Sequence, residues 1–91
     1  MDGNIERTVE ICNRRGLHAR AAARFVRLVE ELRAEVMVSK DGVSVVGSSI
    51  MGLLMLSASI GTRISISVRG DNAQIALDTL AALVERRFDE E

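Results

Sequence analysis

The dipeptide Asp41-Gly42 sits between two valine-rich runs, residues 36–40 and 43–46, and restricts the fold more than any other stretch. A two-residue type I′ turn requires positive φ at both central positions, and Asp-Gly is among the few dipeptides that tolerate it. Such a turn also fixes the register. Val38 faces Val45 and Ser39 faces Ser44, so Val36, Val38, Val43 and Val45 share one face of a hairpin.

Other elements follow from periodicity. Residues 5–12 alternate, with Ile5, Val9 and Ile11 on one side and Glu6, Thr8 and Glu10 on the other, the pattern of a half-buried strand. Arg7 falls on the apolar side and breaks the pattern, which places it at the strand's edge. Ala19 to Leu32 has helical spacing, with Ala22, Phe25, Val26, Val29 and Leu32 inward and Arg20, Arg24, Arg27 and Glu31 outward. Residues 48–56 form a short helix apolar on every side, which must be buried all round or hide one side only when a partner arrives. Residues 63–68 read as a fourth strand with Ile64, Ile66 and Val68 inward. Gly70-Asp71-Asn72 is a turn and cap. A last helix has Ile75, Ala76, Thr79, Leu80, Leu83 and Val84 inward and ends near Arg87. The order β-α-β-β-α-β-α predicts an α+β open-faced β-sandwich, a four-stranded antiparallel sheet with helices on one face, formed by residues 1–91 as one domain.

Composition excludes several functions. The chain has only two aromatic residues, Phe25 and Phe88, and a net charge of −1, so it lacks both a stacking platform and a general cationic surface for nucleic acid. One cysteine, Cys12, rules out an internal disulfide and reads as a strand-end packing residue. With a single histidine it leaves no plausible metal set, and no cofactor is expected. Neither a basic-then-apolar leader nor a membrane-length apolar run is present, so a soluble cytoplasmic protein is expected. Charge is polarised along the chain. Residues 13–33 carry Arg14, Arg15, Arg20, Arg24, Arg27 and Arg33 against Glu30 and Glu31. Residues 71–91 are correspondingly acidic. An acidic partner surface docking near the basic segment is the natural match.

That basic segment contains the run Gly16-Leu17-His18-Ala19-Arg20, with the only histidine. With His18 at a helix cap, the amides of Ala19 and Arg20 point outward around the ring, and a helix start favours anions. Arg20 adds a guanidinium fork matched to phosphate oxygens. These cationic surroundings favour a neutral imidazole, able to attack phosphorus and leave a phosphohistidine stabilised by the amides and Arg20. No general base or metal pair is apparent nearby. Read from residues alone, the simpler account of His18 is a solvent-exposed capping histidine.

The same run, together with Ser49-Ile50-Met51-Gly52 downstream, resembles the HPr family of histidine-containing phosphocarriers of the bacterial phosphoenolpyruvate-dependent phosphotransferase system. The likeness extends over nearly the whole chain, including the Asp41-Gly42 hairpin and the closing helix. It implies that His18 takes phosphate from Enzyme I through Nδ1 and passes it to EIIA-type acceptors of a sugar or nitrogen-regulatory branch. It also implies a covalent carrier rather than a stand-alone enzyme. Arg20 is implied to steady the phosphoryl group, and Ser49 to be the site of a regulatory HPr kinase/phosphorylase. The helix from Ile50 onward is implied to dock partners, with Ile50, Met51 and Leu54 joining Arg20, Arg24 and Arg27. A monomer without membrane insertion is expected. Where the family usually has proline after the arginine, this chain has Ala21, which keeps the helix but loosens its entry turn.

Ser48 and Ser49 each have an alternative role as cap of the short helix. A different function also fits: a non-catalytic regulatory module that binds an effector through the apolar helix and is switched at Ser49. A small ligand- or RNA-binding module is disfavoured by the missing aromatics.

Overall fold

The computed structural model describes residues 4–90. Its hairpin pairs β2 (Glu35–Lys40) with β3 (Val43–Val46), and Val38 lies opposite Val45 and Ser39 opposite Ser44, as the turn demands. Asp41 and Gly42 have φ of 51° and 84°, the signature of a type I′ turn. β3 is an edge strand, so Val43, although on the inner face, stays exposed.

The other edge is β1 (Asn4–Glu10), and β4 (Arg63–Arg69) runs between β1 and β2, giving the order β1-β4-β2-β3 with all neighbours antiparallel. Arg7 reaches off this edge to Glu85 at 3.0 Å and Asp78 at 3.7 Å, which explains a charge on the apolar face. The strand stops two residues earlier than the alternation suggested. Ile11 nevertheless continues the pairing through Thr62 and Gly61 and is fully buried.

The helices cover one face. α1 (Ala19–Leu32) buries Ala21, Ala22, Phe25, Val26 and Val29, and lies beside α2 (Ile50–Met55) and α3 (Ala73–Glu85). The absence of proline at Ala21 leaves the first turn intact, with Ala21 buried in it. α3 packs over β1 and β4, but its inner face differs from the one expected. Ala73, Ala76, Leu77, Leu80, Ala81, Leu83 and Val84 are buried, whereas Ile75 is 63% exposed and Thr79 only half-buried. Nearly every position from Ile75 to Val84 is apolar, so hydrophobicity alone could not choose the stripe. Asn72 is the N-cap residue, yet its side chain makes no cap bond.

After α3 the chain turns back in a short 3₁₀ segment, Arg87–Asp89, where Arg87, Phe88 and Asp89 all have positive φ. Phe88 is fully buried and anchors this turn to the core. Cys12 is half-buried where β1 ends, its Sγ 3.5 Å from the carbonyls of Val84 and Glu85.

Candidate functional site

The loop between β1 and α1 is built to present His18. Asn13, 1% exposed, donates from Nδ2 to the carbonyl of Gly16 at 2.7 Å, and the Gly16 amide donates to the Asn13 carbonyl at 3.1 Å. Gly16 has φ of +69° and presses against the backbone of Ala58, whose carbonyl also accepts the Leu17 amide at 2.9 Å. This two-sided brace leaves His18 extended at the N-cap of α1, where its carbonyl accepts the Ala22 amide at 2.8 Å.

The ring is itself the cap. Nδ1 accepts the Arg20 amide at 3.2 Å, a bond that requires a lone pair there. Expected as a free anion donor, the Arg20 amide is therefore engaged with the ring in this state. The Ala19 amide has no hydrogen-bond partner among the described residues. Arg20 is exposed, and with Arg15, Ala19 and His18 it lines a depression at the mouth of the helix. Beside it lies a cleft of about 480 Å³ walled by Arg14, Arg15, Arg20 and Arg24 and by Asp89 and Glu90.

Glu90 was not anticipated. The turn after α3 brings it back across 72 residues of sequence, and its Oε2 bonds His18 Nε2 while its Oε1 accepts from Asn13 Nδ2 at 3.0 Å. The ring thus faces a carboxylate as well as arginines, which corrects the purely cationic environment expected from the sequence. Burial raises the Glu90 carboxyl. Hydrogen bonds from Asn13 and His18, with the charge of Arg15, outweigh that and hold it below its ordinary value of 4.5. Arg24 Nη1 donates to the Phe88 carbonyl at 2.5 Å, so this expected docking charge also ties down the tail. The one available signal was Phe88 itself: an aromatic residue set among charges at the chain's end has a packing role.

The remaining candidates lie on α2. Ser49, not Ser48, is its N-cap, with Oγ accepting the Gly52 amide at 2.9 Å. Leu53 and Leu56 are buried and Leu54 half-buried, while Ile50, Met51 and Met55 are exposed at 40%, 70% and 74%. Of the two options for an all-round apolar helix, the structure adopts the one with an open side. Arg27, on α1, is exposed.

An open-faced domain offering one imidazole at an arginine-lined helix mouth has the build of a small phosphocarrier. The family model described as "PTS HPr component phosphorylation site" matches residues 5–86. The phosphocarrier protein NPr of Shewanella violacea is 42% identical over 86 residues, covering 94% of each chain. The phosphocarrier protein HPr of Cupriavidus necator is 40% identical over 86 residues, covering 94% of this chain and 97% of that one. Among solved structures, HPr-C-His from Thermoanaerobacter tengcongensis superposes with a TM-score of 0.89 at 40% identity, covering 96% of this chain and 98% of that one. The chain belongs to the HPr family of phosphotransferase-system phosphocarriers.

Proposed function

We propose that this chain, as one HPr-like domain, accepts a phosphoryl group from phosphorylated Enzyme I on Nδ1 of His18 and passes it to an EIIA-type protein. The observation that carries the reading is the hydrogen bond from the Arg20 amide to Nδ1. An amide N–H can only donate, so Nδ1 holds its lone pair at the open end of the helix. In the step itself that pair forms the N–P bond. The bond from phosphorus to the donor breaks, and its electrons leave with the donor atom. The proton on Nε2 stays in place. As Nδ1 gives up its lone pair, the Arg20 amide is released to turn toward a phosphoryl oxygen, joined by the Ala19 amide and the Arg20 guanidinium.

Partner docking is assigned to the face next to His18. There Arg20 and Arg27 supply exposed charge, and Ile50 and Met51, with part of Leu54, supply apolar contact. A partner with an apolar centre and acidic rim complements it. Ser49 is the regulatory position in this reading. A phosphate at its Oγ suits a helix start electrostatically, yet places about two negative charges beside the apolar patch, repelling such a partner. The kinase involved would be of the HPr kinase/phosphorylase type.

Incubation with Enzyme I and phosphoenolpyruvate should add one phosphoryl mass, stable in base and labile in acid, and His18→Ala should abolish it. Label retained by that variant overturns the assignment. Comparing transfer rates to sugar-branch and nitrogen-branch EIIA proteins identifies the acceptor.

A further inference from the structure

We infer that Glu90 and Asn13 are a pair of positioning residues that fix which nitrogen of His18 is free to react. The inference rests on His18 being the phosphoryl acceptor, and its physical content is a chain of donor and acceptor constraints that closes on itself.

Asn13 is buried, and its amide faces two groups that can only accept, the Gly16 carbonyl and Glu90 Oε1. Its orientation is therefore forced: Nδ2 must lie between them, and Oδ1 is left without a partner among the described residues. A buried amide that leaves one oxygen unsatisfied to keep both donors engaged is held in place for those donors. Glu90, oriented by Asn13, presents its second oxygen to Nε2. A carboxylate only accepts, so Nε2 must carry the proton. From the other side the Arg20 amide only donates, so Nδ1 must be bare. The two ends of the ring are thus specified independently and agree.

The rest of the tail maintains this geometry. Phe88 sits in the core, Arg24 bonds its carbonyl, and Arg86 bonds Asp89 at 2.7 Å. The same Asn13 donors join the tail to the His18 loop, so one side chain sets both the height of the ring and the place of the carboxylate. Among the described residues, charged groups around the ring and its cleft come from three elements: Arg14 and Arg15 from the loop, Arg20 and Arg24 from α1, and Asp89 and Glu90 from the tail. Glu90 alone among the described residues meets Nε2. As the N–P bond forms, the ring becomes positive, and this carboxylate faces the new charge.

Glu90→Gln is the sharpest test because glutamine cannot satisfy both neighbours. If its oxygen accepts from Asn13, its NH₂ meets the Nε2 proton; if its oxygen meets Nε2, its NH₂ opposes that of Asn13. The readout is the ¹⁵N NMR spectrum of the His18 ring in the intact, unphosphorylated protein, followed by phosphorylation rates with Enzyme I. Wild type should show a single Nε2–H tautomer. Glu90→Gln should show a mixture of tautomers and roughly tenfold slower phosphorylation. Asn13→Ala should move both quantities the same way; if that variant fails to fold, Glu90→Gln decides alone. A Glu90→Gln protein with the wild-type tautomer and rate overturns the inference. The tautomer measurement needs no phosphate donor, so its outcome is separate from that of His18→Ala, which tests the acceptor assignment.

Discussion

Gly16 offers the clearest measurement of how tightly the His18 loop is held. A Cβ added there would lie 2.6 Å from the Ala58 carbonyl oxygen and 3.0 Å from Ser59 Cα, both backbone atoms, at a φ of +69°. Gly42 has a similar φ of +84° with nothing within 4 Å of its Cβ position. Alanine at either site carries the left-handed backbone penalty of about 1–2 kcal/mol. Both substitutions also restrict the unfolded chain to the same degree, so that contribution cancels between them. Only Gly16→Ala must in addition push two backbone segments apart and stretch the 2.9 Å Leu17–Ala58 bond, an overpacking cost of about 1–3 kcal/mol. Urea denaturation should therefore show Gly16→Ala less stable than Gly42→Ala by about 1–3 kcal/mol, or roughly 4–24 °C in Tm for a domain of this size. Total stability for 91 residues is about 5–14 kcal/mol, so Gly42→Ala should remain folded throughout that range and Gly16→Ala, losing about 2–5 kcal/mol in all, should remain folded above its lower bound. Equal losses at the two sites would refute the claim that close approach to Ala58, rather than backbone conformation alone, dictates glycine before His18.

Three further outcomes follow from the packing and the tail. Phe88→Ala should lose about 3–5 kcal/mol in denaturant titration, because a fully buried aromatic leaves a cavity; a loss below about 1 kcal/mol would mean the tail does not belong to the core. Ser49→Ala should lose about 1 kcal/mol and Ser48→Ala almost nothing, since Ser49 alone caps α2, and the reverse ranking would move the cap. The Glu90 carboxyl is held below 4.5 in the folded chain, so its ionised form contributes stability that is complete above about pH 4.5 and fades as pH falls through the lowered value. The stability difference between wild type and Glu90→Gln should accordingly close in acid, and a gap that persists unchanged to the acid limit would contradict the carboxylate's role.

The features visible in the sequence are those set by neighbours in the chain. Asp41-Gly42 dictated a turn, and the turn dictated the register of β2 and β3. The spacing from Ala19 to Leu32 matched α1 at both ends. His18 and Arg20 are two residues apart, so the helix mouth could be read directly. Glu90 could not, because it meets His18 only after the sheet has closed and α3 has returned the chain. That return runs through three consecutive non-glycine residues of positive φ, a conformation no local preference announces. Nothing in the sequence singled out Asn13 for the same reason: its second partner arrives from the far end. The inner stripe of α3 failed differently, through an excess of apolar positions, and its contacts with β1 and β4 made the choice.

In the proposed relay, the charge of the cleft would differ between the empty and the loaded protein. Arg14, Arg15, Arg20 and Arg24 against Asp89 and Glu90 leave two formal positive charges in the cleft of the unloaded protein. A phosphoryl group on His18 would bring about two negative charges to the same place, while the ring, keeping its Nε2 proton, becomes positive, a net change of about −1. Loading therefore roughly halves the positive charge of the cleft while leaving the apolar face of Ile50 and Met51 unchanged. A partner with an acidic rim should hold the empty form more tightly through charge and lose part of that attraction once transfer is complete. Affinity for Enzyme I should then fall more steeply with salt for the empty protein than for the loaded one, because the former presents the larger unbalanced charge to screen. Titrations at several ionic strengths, with His18 unmodified and then phosphorylated, measure the two slopes. Parallel slopes would show that docking draws on charges outside this cleft.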